Sequence, residues 1–415
     1  MDKSARITYT LKLAILILCL FKNDGINSQL IDYQKVGYFT KDSLKEIWKI
    51  KKIPKSIVSI KTGITLYRVK YYTKWINGDK IVATGSIYVP DRSKNNPLLV
   101  YNHGTRIKKG PPKILGGENI LAMLFSTDGY NVICPDYIGL GDGEKSHLYC
   151  HIESQANAGI DFIKITNEIL QDLNKPPYSS LFISGYSQGG HAALSQQFVL
   201  ERDYPNIELT ASSPMSGPYD LSGVQEKVMY EPYTNSSYLP YLLLSLNTAY
   251  QLFDEESFYK IFKPPYDSVA KHMYNGDYKL RKINNLLPEI PVDMVQDAFV
   301  FRYNKDPDFE LKKLLKLNDL SNWLPKSPVQ LCYCEGDEVV LYENALVTYE
   351  NMKRLGAKNV YLKSGGKKFS HGKCAGTSSV YAKFFFDGYV KNKKIFKKGP
   401  IHKRLLLSIY KMLNS

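Results

Sequence analysis

The five residues Gly185-Tyr186-Ser187-Gln188-Gly189 constrain this chain more than any others. They spell G-x-S-x-G between an apolar run, Leu181-Phe182-Ile183, and a helix-like run from His191 to Leu200. A serine on so tight a strand-to-helix turn is forced into a strained backbone with its hydroxyl exposed. Glycines two before and two after it are needed because side chains there would clash. In that context the motif predicts a nucleophilic serine at Ser187. A Gly-rich turn with a solvated serine is the plain alternative.

The surrounding pattern agrees. Residues 33–56 read as a short helical lead-in, and 63–72 and 80–90 alternate as strands do. Further strands are expected at 97–101, 130–135, 181–183, 208–213, 328–333 and 358–362, with a long helix over 153–174. Strands alternating with helices imply right-handed crossovers. The expected fold is therefore α/β, a mostly parallel eight-stranded sheet with helices on both faces. Between strands six and seven lie about a hundred residues, far more than such a connection needs. This stretch, 224–322, is rich in Tyr, Leu and Phe and is read as a helical cap over the serine, dividing the core into 29–223 and 323–389.

Lys3, Arg6 and Lys12 precede and enter a short apolar stretch, Leu11 to Phe21, so residues 1–28 read as a signal peptide cut before Gln29. Leu18 before Cys19 is bulky for a lipidation signal, which favours release over a lipid anchor. A secreted or periplasmic location follows. Removing Cys19 leaves five of the six cysteines, hence at least one free thiol or an intermolecular bond. Cys332 and Cys334 share a face of one strand but lie too far apart for an easy bridge. No CxxC pair is present, and neither a metal nor an organic cofactor is signalled.

The formal charge is +15, and the span 391–411 carries eight Lys and Arg and no acid. With Leu405-Leu406-Leu407 and Ile409, the tail 390–415 reads as a basic helix, either solvated or lying on an anionic membrane or polymer surface. No nucleic-acid module accompanies the charge.

A serine needs a base, and in this arrangement the base follows the last strand, after the acid. That order selects His371. The acid should follow strand seven, where Glu335-Gly336-Asp337-Glu338 offers three carboxylates. Asp337 fits best, with Glu335 and Glu338 as alternatives. An oxyanion needs two N–H donors. Gln188, just after the serine, supplies one. Thr105, or next to it Gly104, in Asn102-His103-Gly104-Thr105 supplies the other. His103 and Asp136 read as loop-shaping residues.

Together these elements resemble the α/β-hydrolase superfamily and, within it, the secretory lipase family and its bacterial relatives. The resemblance rests on Tyr101-Asn102-His103-Gly104-Thr105, Pro135-Asp136-Tyr137-Ile138-Gly139-Leu140-Gly141, Gly185-Tyr186-Ser187-Gln188-Gly189-Gly190, Gly336-Asp337-Glu338 and His371-Gly372-Lys373-Cys374-Ala375, and spans 63–389. It implies hydrolysis of ester or lipid substrates through an acyl-serine, with Ser187, Asp337 and His371 as the triad. The Lys-rich tail and His147-Leu148-Tyr149 depart from the family pattern. A peptidase or acyltransferase of the same fold, or a non-catalytic binding protein, are the competing readings.

Overall fold

The computed structural model describes residues 29–51, 53, 59–92, 94–392 and 399–414. The expected signal peptide lies outside the described residues.

Nine strands form one sheet: β1 (Leu30–Phe39), β2 (Ile64–Lys74), β3 (Lys80–Pro90), β4 (Leu98–Asn102), β5 (Asn131–Pro135), β6 (Leu181–Tyr186), β7 (Ala211–Met215), β8 (Val329–Tyr333) and β9 (Val360–Ser364). Their order is β1-β2-β3-β5-β4-β6-β7-β8-β9. The pairings among β1, β2, β3 and β5 are antiparallel, and the others are parallel.

The eight expected strands are all present; β1 is an addition and corrects the reading of 33–56 as wholly helical. Among the described residues of that span only α1 (Lys41–Ile50) is helical, capped by the Thr40 hydroxyl, which accepts from Ser43 N at 3.1 Å. The reason is physical. β1 is an edge strand with no fully buried residue, and two register irregularities, between Leu30 and Asp32 and between Lys35 and Gly37, break its period-2 alternation. β7 also runs to Met215, past Pro214, rather than ending at 213.

Side chains of the central strands alternate between two cores. Leu98, Val100 and Ile183 pack on one face against α3 (Ile152–Asp172), α4 (Gln188–Asp203) and α11 (Glu343–Arg354). Leu99, Tyr101 and Phe182 pack on the other against α1, α2 (Asn119–Ser126), α12 (His371–Val390) and α13 (Ile401–Asn414). Covered on both faces, β4 to β7 have only buried residues, which is why they read as continuous runs.

Between β7 and β8 the chain forms six short α-helices, besides two 3-10 turns: α5 (Tyr238–Tyr250), α6 (Glu255–Tyr259), α7 (Tyr266–Met273), α8 (Leu280–Asn284), α9 (Asp297–Lys305) and α10 (Glu310–Leu317). They enclose a core of their own, including Leu246, Phe262, Met294 and Leu315. The insertion is tied to the sheet's loops: Tyr149 N donates to Ser245 Oγ (2.8 Å), and Ile152 N to Asn318 Oδ1 (3.0 Å). Tyr241 Oη donates to Arg106 O at 3.0 Å.

Candidate active site

Ser187 stands between β6 and α4 with φ 61° and ψ −125°. For a residue with a side chain that conformation is strained, and it persists only because its surroundings enforce it. A Cβ on Gly185 would lie 2.2 Å from Gly189 O, and one on Gly189 2.0 Å from Asn102 O. Both glycines are therefore required by backbone packed on backbone. Ser187 N donates to Met215 O at 3.0 Å, which fastens the elbow to β7.

His371 opens α12, and Asp337 lies in the turn after β8. His371 Nδ1 is 2.8 Å from both Asp337 carboxylate oxygens. Asp337 Oδ1 also accepts from Val339 N (3.0 Å) and Val340 N (2.9 Å), so the turn itself holds the carboxylate. The three acids have different partners. Glu338 accepts from His371 N at 2.9 Å and caps the helix, not the ring. Glu335 accepts from Ser364 Oγ at 3.2 Å. Tyr186, next to the serine, donates to His371 O at 2.5 Å, and the two rings lie 4.8 Å apart. The Ser187 and His371 side chains are not hydrogen-bonded to each other here; catalytic contacts of this kind are often long before substrate binds.

Cys334 and Cys374 are disulfide-bonded. This bridge joins the segment just before Asp337 to the first turn of α12. Sequence considered only the neighbour Cys332 and could not see that β8 and α12 converge. Cys134, Cys150 and Cys332 are buried free thiols.

Gln188 N, at the start of α4, and Thr105 N have no backbone hydrogen-bond partner. Gly104 N does not share that freedom: it donates to Glu118 Oε1 at 2.9 Å, which corrects its candidacy as an oxyanion donor. Glu118 also accepts from Tyr101 Oη at 3.2 Å, and burial raises its pKa to about 7. Nothing in the sequence pointed to Glu118, because its partners come from β4 and the loop after it.

His103 and Asp136 brace loops, as expected. The His103 ring nitrogens lie 2.7 Å from Gly104 O and 3.2 Å from Asp136 O, and burial lowers its pKa to about 4. Asp136 takes a forked pair from Arg68, a bond from Thr84 and a longer contact from Arg106. His147 has a role the sequence did not disclose. Its Nδ1 faces Ile138 O at 3.1 Å, so Nε2 is free to accept from Gln188 Nε2 at 2.7 Å, which fixes the residue after the serine. Among the described residues no His, Cys, Asp and Glu group is arranged to hold a metal.

This sheet order, with a serine elbow after β6 and an Asp-His pair after β8 and β9, defines an α/β-hydrolase. The chain belongs to the secretory lipase family, whose pattern matches residues 115–371. It is a carboxylic ester hydrolase. A Legionella pneumophila protein of known structure is 26% identical over 89% of this chain and 99% of its own, with a TM-score of 0.79. A mutant of the rice cell wall degrading esterase LipA from Xanthomonas oryzae is 25% identical, covering 85% of this chain and 94% of its own, with a TM-score of 0.74. Candida antarctica lipase A in its closed state shares the fold at 15% identity, 89% and 84% coverage and a TM-score of 0.67. No curated protein matches the chain in sequence.

Proposed function

We propose that this chain is an exported, lipase-like esterase in which Ser187 attacks the ester carbonyl. His371 takes the hydroxyl proton and later delivers it to the leaving alcohol. Asp337 holds the imidazole in one tautomer and balances its charge. The N–H groups of Gln188 and Thr105 receive the oxyanion, at the positive end of α4. Water then attacks the acyl-serine by the same proton route. The observation that carries this reading is the strained Ser187 elbow combined with the two 2.8 Å contacts between His371 and Asp337.

Apolar hollows in and beside the insertion support an acyl-binding role for it. An apolar groove lined by Tyr149, Pro218, Leu221, Tyr233, Tyr238 and Val340 lies between the insertion and the turn after Asp337. It shares Met229, Leu239 and Leu242 with a second apolar hollow inside the insertion. In this reading the insertion is a cap that accepts an acyl chain. Export is supported by the basic, then apolar N-terminus and by the disulfide, which persists in oxidising compartments.

The test is hydrolysis of nitrophenyl esters from acetyl to palmitoyl by the protein beginning at Gln29, beside Ser187→Ala. Turnover that extends to long chains and disappears in the variant is expected. Unchanged turnover in Ser187→Ala would remove this serine from the chemistry.

We also propose a surface role for the tail. Ile401, Leu405, Ile409 and Met412 form an exposed stripe along α13, while Leu407 packs into the core. An apolar stripe on a strongly basic protein suits an anionic lipid surface. Cosedimentation with phosphatidylglycerol vesicles, lost on truncation after residue 392, is the expected result; equal binding by the truncated form would refute it.

A further inference from the structure

The loop carrying Thr105 has the apolar groove on one side. There the buried Thr105 Oγ1 lies beside the hydroxyls of Tyr149 and Tyr238. On its other side opens a wide cleft that, unlike the groove, carries a group of cations. Arg106, Lys108, Lys109, Lys113 and Lys279 line it, with Glu118 and Asp136 as its acids. Gly104, on its wall, is the link to Ser187: a Cβ there would lie 3.4 Å from Ser187 Cβ.

We propose that this cleft is the alcohol-side subsite and that it selects esters whose alcohol portion bears an anionic group, a phosphate or a carboxylate. The inference rests on the esterase reading above and extends it to the leaving group. An ester held at Ser187 sends its acyl and alcohol parts in different directions. The apolar groove takes the first, and the cleft remains for the second.

The cleft's own acids leave its lysines unneutralised. Asp136 is committed to Arg68, Thr84 and Arg106. Glu118 is occupied by Gly104 N and Tyr101 Oη, and its raised pKa favours the uncharged form. Lys108, Lys113 and Lys279 have no carboxylate within ion-pair distance among the described residues. The cations come from two separate parts of the fold, and the parts are pinned together: Lys109 N donates to Gly276 O at 2.8 Å, and Tyr241 Oη to Arg106 O at 3.0 Å. Like charges held together this way raise the local concentration of anions and stabilise a bound one.

The test compares three octanoyl esters below their micellar concentrations: neutral 1-octanoyl-glycerol, 1-octanoyl-glycerol 3-phosphate, and 3-(octanoyloxy)propanoate. In the wild type, kcat/KM for the charged esters should exceed that for the neutral one by on the order of ten-fold at low salt, and the excess should shrink as salt rises. In Lys108→Ala/Lys113→Ala/Lys279→Ala the ratio should fall to about one, whereas Lys45→Ala/Lys260→Ala/Lys313→Ala, which removes the same charge elsewhere, should keep it. A preference for both charged esters, or for the phosphate alone, supports the subsite and names its anion. Equal turnover of all three, or a preference that survives the cleft variant, overturns the subsite while leaving the esterase reading intact. Turnover of none by the folded wild type overturns the esterase reading and the subsite with it.

Discussion

Removing the Cys334–Cys374 bridge as Cys334→Ala/Cys374→Ala tests how the proposed catalytic pair, Asp337 and His371, is held together. The two cysteines are 40 residues apart in sequence. Cross-linking a loop of that length removes about 13 cal/mol/K of entropy from the unfolded chain, or about 4 kcal/mol at 25 °C. The bridge is not the sole tie between Asp337 and His371. The Glu338 bond to His371 N, the Tyr186 bond to His371 O and the Asp337–His371 pair all remain without it. Stability should therefore fall much further than activity: about 4 kcal/mol in urea unfolding, with kcat on a nitrophenyl ester within about three-fold of wild type at 20 °C, where the variant stays folded. Thiol titration of denatured, unreduced protein starting at Gln29 should count only Cys134, Cys150 and Cys332. Finding all five cysteines reactive, or a stability loss below about 1 kcal/mol, would refute the reasoning.

Other outcomes follow from the same geometry. Gly189→Ala should lower kcat/KM by at least about a hundred-fold, because its new Cβ would sit 2.0 Å from Asn102 O and the elbow must shift; ester kinetics with a melting curve separate this from unfolding. Asp337→Asn should cost on the order of 10⁴ in kcat with little change in fold, since the amide can no longer fix the working tautomer; steady-state kinetics and circular dichroism check it. Glu118 has a folded pKa raised to about 7, so the native state binds its proton more tightly than the unfolded chain. Its contribution to stability is greatest below the unfolded value and declines as pH rises through about 7. Urea unfolding from pH 4.5 to 8 should show a downward slope in the wild type that is reduced in Glu118→Gln; parallel curves would contradict the assignment.

What could be read in the sequence, and what could not, follows from the range of the interactions. The turn at Ser187 and the loops carrying Asp337 and His371, the proposed triad, were legible because each follows a strand, and chain order alone ranks them. The buried strands β4 to β6 announced themselves as apolar runs. β1 did not, because an edge strand with two irregularities carries no clean period. Glu118, His147 and the Cys334–Cys374 bridge were invisible for another reason. Each acts through partners distant in sequence: His147 reaches Gln188 across 41 residues, and Cys334 reaches Cys374 across 40. That Gly104 N is engaged depends on the position of the Glu118 carboxylate, which only the fold supplies.

The most direct measurement is covalent labelling of the folded protein with a fluorophosphonate, followed by peptide mass analysis. The account predicts one adduct per chain, on Ser187, formed in step with the loss of esterase activity and strongly slowed in His371→Ala. Full inactivation with Ser187 unmodified, or an adduct on another serine, would contradict it.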